Sequence, residues 1–298
     1  MSLLVIGPAA LDRVLTVDRL PQAGQSVLAR SLRLDVGGRG ANQAVAAARA
    51  GARVRLLASI GADPAGERIR ATLAAEGVET GFLLCEPKAT PQSLVFVLPG
   101  GEKTVVAVAE AAALAEEHVT AAMAGLGAGD RLLVSGHLDR EGLARALGEA
   151  RIRGLATAVN LAPVPFPHSD LWPLIDLVIA NAAELALHAG EGAVERAVRR
   201  LLALGVREVL VTLGAEGALL ASPEGEVRVP APTVAAVDTT GAGDLLAGIF
   251  LALRDRRVEP ERALAAAVAA AARKVRHPGT LSAFPQRAEI AALLGGSD

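Results

Sequence analysis

The chain of 298 residues has one cysteine, Cys85, no tyrosine and a single tryptophan. One cysteine excludes an intramolecular disulfide and any cysteine-cluster metal site, and it fits a reducing, cytoplasmic setting. Charge of neither sign runs in blocks, and a formal net charge of -2 gives no electrostatic reason for a nucleic-acid partner or an anionic membrane surface. A small molecule is the expected partner. No uncharged apolar stretch reaches the roughly 18 residues of a membrane span, and the nearest, Ala263 to Ala272, reads as a buried helix. Met1 to Ile6 is apolar but short and lacks a basic leader, so it predicts a first strand. The P-loop pattern G-x-x-x-x-G-K-[ST] is missing, and no G-x-G-x-x-G follows a strand, which disfavours a P-loop kinase and a nicotinamide oxidoreductase. No internal repeat recurs and no low-complexity linker divides the chain, so residues 1–298 are expected to form a single α/β domain.

What is present alternates. Strand-like runs at Arg131 to Ser135, Leu155 to Asn160, Leu177 to Ala180 and Val209 to Leu213 are separated by helical segments at about Arg140 to Arg153, Ala182 to His188 and Gly192 to Leu204. Connections of that length suit crossovers in a mostly parallel sheet. Two segments fall outside this pattern: Leu28 to Val36 alternates like a half-exposed strand, and Ser93 to Leu98 with Thr104 to Val108 flank the hairpin signal Pro99-Gly100-Gly101-Glu102. They predict a small β lid, formed by about residues 12–36 and 92–109, over one edge of the main sheet.

Two glycine-rich stretches carry the chemistry. In Asp238-Thr239-Thr240-Gly241-Ala242-Gly243-Asp244 a small-residue turn leads into the apolar helix Leu245 to Arg254. Backbone N–H groups and the positive end of the helix dipole favour an anion at such a start. Asp244 would repel that anion unless it serves as the general base for an attacking hydroxyl, although a helix capped by Asp with turn glycines has the same pattern. The other stretch, Gly37-Gly38-Arg39-Gly40-Ala41-Asn42-Gln43-Ala44, opens a helix through Ala50 and offers the Asn42 amide to sugar hydroxyls.

Together, with Gly51 and Gly61 downstream, these stretches resemble the two signatures of the PfkB carbohydrate kinases, and the resemblance extends from the first strand to about Pro285. It implies a ribokinase-like three-layer α/β/α fold with a mostly parallel central sheet, and ATP-dependent phosphorylation of a primary sugar hydroxyl. The same resemblance assigns roles to residues. Asp244 matches the catalytic base, and Gly241, Ala242 and Gly243 match the anion hole for the transferring γ-phosphate. Asn181 and Glu184 match an N-x-x-E motif that positions Mg2+, Glu184 largely through water, although Asn181 with Glu184 is also a capping-box pattern. Thr212 and Gly214 match nucleotide contacts. Asp12 matches the carboxylate that grips sugar hydroxyls, with Gly38, Arg39 and Asn42 beside it, and His137 stands where relatives carry a glutamate near the sugar. Asp238 and Thr240 correspond to part of a monovalent-cation site, commonly K+.

Several positions depart from the family pattern. Ala10 replaces an asparagine, Arg39 a lysine and Leu246 a phenylalanine, and the serine of the loop His277 to Ala283 is displaced by one position. Arg is not a neutral exchange for Lys at a close contact. D-ribose is the first expected substrate, with a nucleoside or another sugar such as fructose or 2-keto-3-deoxygluconate as the alternative. The scarcity of aromatic residues to wall a base favours a free sugar. A non-catalytic sugar- or nucleotide-binding relative should have lost the base or the anion hole, and both are intact. The resemblance also implies a homodimer formed through the lid, which would cover strand edges otherwise left unpaired.

Overall fold

The computed structural model describes residues 1–99, 103–108, 114–136, 138–161 and 170–294. Among these, the main sheet runs from one edge in the order Gly225–Val229, Ala218–Ser222, Glu208–Thr212, Leu177–Asn181, Ala156–Asn160, Arg131–Val134, Ser2–Ile6, Arg53–Gly61 and Val78–Glu79. The short strand Leu83–Glu86 also pairs with Arg53–Gly61. From Glu208–Thr212 to Val78–Glu79 every pairing is parallel, and only the hairpin at the far edge is antiparallel.

Parallel strands need crossovers, and the helices that supply them cover both faces. The strand Ser2–Ile6 shows the resulting layering: Leu3 and Val5 enter one core, while Leu4 and Ile6 enter the other. The first core packs against helices Arg39–Arg49, Ala242–Asp255 and Pro260–Lys274, and the second against Arg140–Ile152, Ala182–Ala189 and Val194–Ala203. This is the expected three-layer α/β/α arrangement. The strands and helices expected between Arg131 and Leu213 appear within one or two residues of their predicted ends, the helix expected from Leu245 begins three residues earlier at Ala242, and Ala263 to Ala272 lies inside the largely buried helix Pro260–Lys274.

Helix Ala242–Asp255 is apolar on nearly all sides because it lies between two other helices. At Gly248 it meets Arg39–Arg49 so closely that a Cβ would stand 2.5 Å from the Gln43 carbonyl oxygen. That close approach brings the first turns of the two helices together.

A second sheet has the order Ser31–Gly37, Ala10–Thr16, Gln92–Val97, Lys103–Val108. The strand expected from Leu28 begins at Ser31, and Leu28 lies outside it, 91% exposed. Burial along Ser31–Gly37 rises steadily from its exposed first residues to buried Asp35, Val36 and Gly37, in place of the expected alternation. The physical reason is direction: the strand runs from solvent into the body of the protein. Of the predicted hairpin turn, residues 100–102 lie outside the described residues, as does residue 109, while Gln92–Val97 and Lys103–Val108 pair antiparallel as expected.

Candidate active site

The site forms where the parallel strands end at their carboxyl edge, the usual ligand position in open α/β sheets. Gly241 caps helix Ala242–Asp255 with φ 75° and ψ 3°, a left-handed conformation open to glycine, and a side chain there would meet Thr280 Cγ2 at 2.9 Å. Asp244 follows in the first helical turn and is buried. Its Oδ2 accepts from Asn42 Nδ2 at 2.9 Å and its Oδ1 from Gln43 Nε2 at 3.2 Å, while Arg39 Nε stands 3.7 Å from Oδ1. Burial pushes the Asp244 carboxyl up, opposed by Arg39, Asn42 and Gln43, with Glu184 adding a further upward push. The carboxylate is therefore desolvated, oriented by two amides and basic for its type.

Arg39 spans the cleft. Its Nη1 donates to the Leu161 carbonyl at 2.9 Å, and its Nη2 donates to Asn160 Oδ1 at 2.9 Å and Glu184 Oε1 at 3.2 Å. Asn181 and Glu184 do form a capping box: Glu184 N donates to Asn181 Oδ1 at 2.8 Å and Asn181 N to Glu184 Oε2 at 3.1 Å. The cap leaves Glu184 Oε1 directed toward Arg39.

Two adjoining cavities meet at this point. One, of about 350 Å³, is lined by Arg39, Asn160, Glu184, Gly241, Gly243 and Asp244 among others. The other, of about 450 Å³, has mostly apolar walls that include Ala215, Pro232, Leu246, Val268 and Val275. Asn181, Thr212 and Gly243 line both, and Gly214 lines the apolar one. Ala242 also faces the apolar cavity, and its N–H donates to the Thr239 carbonyl at 3.2 Å, so that amide is already engaged within the turn.

Asp12 lies on strand Ala10–Thr16 of the second sheet. It pairs in register with Asp35 across the second sheet, and a Cβ on Gly37 would stand 2.2 Å from Asp12 Oδ2. Burial raises the Asp12 carboxyl to about 6; hydrogen bonds with Ser93 and Thr280 oppose the rise, and the Asp35 charge adds to it. Thr280 also touches the Gly241 position, and Gly241 in turn adjoins Asn42. Thr280 thus links Asp12 to the Gly241 turn, beside which Asn42 donates to Asp244. Asn42 is buried, and its Oδ1 is left without a partner among the described residues. Gly38 turns the chain from strand Ser31–Gly37 into helix Arg39–Arg49 at φ 90°.

A scan for known families matches residues 1–287 to the pfkB family of carbohydrate kinases. The chain belongs to that family. The kinase is 30% identical over 296 residues to the ribokinase of Haemophilus influenzae, covering 97% of this chain and 96% of that one. It is 32% identical over 282 residues to the 2-dehydro-3-deoxygluconokinase of Thermoproteus tenax, covering 87% and 85%. The structure of Arabidopsis thaliana ribokinase complexed with ribose and ATP superposes with a TM-score of 0.87 at 25% identity over 99% of both chains.

Of the residues expected from sequence, the kinase brings Arg39, Asn42, Asn181, Glu184, Thr212, Gly214 and Gly241 to Asp244 around the two cavities, with Asp12 and Gly38 on the second-sheet side. His137 lies outside the described residues. Asp238 and Thr240 belong to the turn itself and line neither cavity; Thr240 N donates to Asp238 Oδ1 at 2.8 Å. Gln43, Asn160, Asp35 and Thr280 were not singled out from sequence. Gln43 had a signal in its position beside Asn42, and Asn160 in ending a predicted strand. Asp35 lay in the alternating lid segment and Thr280 in the C-terminal loop, but nothing joined two positions 245 residues apart; Thr280 N donates to Asp35 Oδ2 at 2.8 Å.

Proposed function

We propose that this carbohydrate kinase transfers the γ-phosphate of ATP to a primary hydroxyl of a small free sugar, with D-ribose as first substrate. The observation that carries the reading is a pair of adjoining cavities: an apolar one sized for a nucleoside shares Asn181, Thr212 and Gly243 with a polar cleft that contains Asp244, whose carboxylate accepts from Asn42. The apolar walls suit a purine, and Thr212 and Gly214 would flank it. Gly241 and Gly243 would hold the γ-phosphate at the helix start, where Arg39 adds positive charge. The reacting sugar hydroxyl would lie between that phosphate and Asp244, with other hydroxyls of the sugar taken by the Asp12 carboxylate and the unpartnered Asn42 Oδ1. Asp244 would accept the hydroxyl proton as the oxygen attacks, its carboxylate kept in place by Asn42 and Gln43.

Glu184 offers a single carboxylate edge to the polar cleft. That donor set fits Mg2+ held mainly by phosphate oxygens and water, with Glu184 as an outer anchor. When bound, the ion neutralises phosphate charge.

D-ribose is supported by the H. influenzae relative and by the ribose and ATP in the Arabidopsis structure, while the T. tenax relative keeps 2-keto-3-deoxygluconate in view. A coupled ADP-release assay over pentoses, hexoses, keto-acid sugars and nucleosides tests the assignment; a higher kcat/KM for any other acceptor than for ribose would overturn it. The second sheet would act as a lid over the acceptor. Leu32, Val105, Val106 and Val108 on its edge strands are exposed, which supports dimerisation through it, and sedimentation as a monomer at working concentration would contradict this.

A further inference from the structure

Lys274 is one of three lysines in the chain, and it is completely buried. It ends helix Pro260–Lys274, and its Nζ donates to the Asp238 carbonyl at 2.7 Å while standing 3.5 Å from Asp238 Oδ1. Asp238 opens the turn that presents Gly241 and Gly243, so this ammonium lies directly behind the phosphate cleft.

The family resemblance places a monovalent cation at Asp238 and Thr240. The oxygens of Asp238 and Val275 are already engaged by donors of the protein, one of them an ammonium. The Asp238 carbonyl accepts from Lys274, Oδ1 accepts from Thr240 N at 2.8 Å, and Oδ2 accepts from Gly279 N at 2.9 Å. The nearby Val275 carbonyl accepts from Val237 N at 2.7 Å and Asp238 N at 3.0 Å. Ser282, the displaced serine of the C-terminal loop, turns its hydroxyl the other way and donates to Asp35 Oδ2 at 2.7 Å.

An alkylammonium head carries the same charge as potassium and is close to it in size. A buried carboxylate needs such a charge beside it, and Lys274 supplies one covalently. We propose that the Lys274 ammonium replaces the monovalent cation in this chain, bracing the Asp238 to Asp244 turn so that phosphoryl transfer proceeds without potassium. Lys274 is a positioning residue: it acts on the transferring phosphate through Asp238 and the turn. The proposal rests on the chain being a carbohydrate kinase with its anion hole at that turn.

The experiment compares the full chain and Lys274→Met in potassium, ammonium, sodium and choline chlorides at equal ionic strength, reading kcat and KM by ADP release and thermal unfolding without substrates. Wild type should change by no more than about twofold in kcat between choline and potassium. Lys274→Met should lose about tenfold or more of kcat in choline, with a smaller change in KM for ATP, and regain most of it in potassium or ammonium but not in sodium. Its unfolding temperature should rise with the same two cations, as mass action requires. Several-fold activation of wild type by potassium would overturn the proposal. So would full activity of Lys274→Met in choline, or failure of every cation to restore either readout, which would mark an ordinary buried ion pair. If Lys274→Met does not fold, Lys274→Gln takes its place, and the wild-type comparison still decides. If no tested acceptor is phosphorylated, the kinase reading fails by that result, while the unfolding series still reports on the cation.

Discussion

Gly248 lies one turn beyond Asp244 and directly against the backbone of Gln43, so the spacing between these two residues sets how Asn42 and Gln43 reach the carboxylate. In Gly248→Ala the new Cβ would stand 2.5 Å from the Gln43 carbonyl oxygen and 2.6 Å from Ala46 Cβ. The helices must move apart. Overpacking of this kind costs about 1–3 kcal/mol, and the displaced amides should lower kcat by about tenfold or more with little change in KM for ATP. Thermal unfolding with steady-state kinetics checks both; unchanged kcat in a destabilised variant would show that the amide geometry is not critical.

Asp244→Asn keeps the shape of the site and removes the proton acceptor. Turnover should fall by about 10²–10⁴-fold, while nucleotide affinity measured by calorimetry stays within about threefold. A variant that keeps its turnover would remove Asp244 from the base role.

The layering, the parallel sheet and the helix that carries Asp244 were legible because each rests on a local pattern: apolar strands separated by helical runs, and a glycine turn before an apolar helix. Asn42 and Asp244 were legible for the same reason, since each sits in a short motif. Their hydrogen bond was not, because it joins positions 202 apart and depends on how closely two helices pack at Gly248. Ser31–Gly37 misled by its alternation, because its burial is set by distance from the protein body. Lys274 gave no sign at all within an alanine-rich helix, since only the fold brings it to Asp238.

The pH dependence of stability should carry the mark of Asp12. Its carboxyl is raised from 3.8 to about 6, so the folded state holds a proton that the unfolded state releases within that window. The sign follows: this contribution is complete below pH 3.8 and is lost as pH rises through about 6, amounting to about 3 kcal/mol at most. Asp12→Asn should flatten this fall in unfolding free energy between pH 4 and 6. Sugar KM should run the other way in wild type, falling as the carboxylate forms and accepts hydroxyl donors, while Asp12→Asn shows a raised KM with no such step. Urea unfolding and KM profiles across that range provide the check.

Arg39→Lys tests the fork that joins Leu161, Asn160 and Glu184. An ammonium cannot reproduce three directed contacts from a planar group. The expected result is a loss of about tenfold or more in kcat/KM for ATP, with kcat for the variant more sensitive to Mg2+ concentration than that of the parent. Equal Mg2+ titrations would show that Arg39 does not organise Glu184.

The ammonium held behind the phosphate turn has a further consequence for how the protein meets its surroundings. A dissolved ion occupies a site in proportion to its bulk concentration, whereas a charge on a four-carbon tether is present at an effective concentration fixed by the chain itself. With Lys274 in that place, the readiness of the site becomes a property of the folded polypeptide, indifferent to the salt balance of the compartment and closed to control by it.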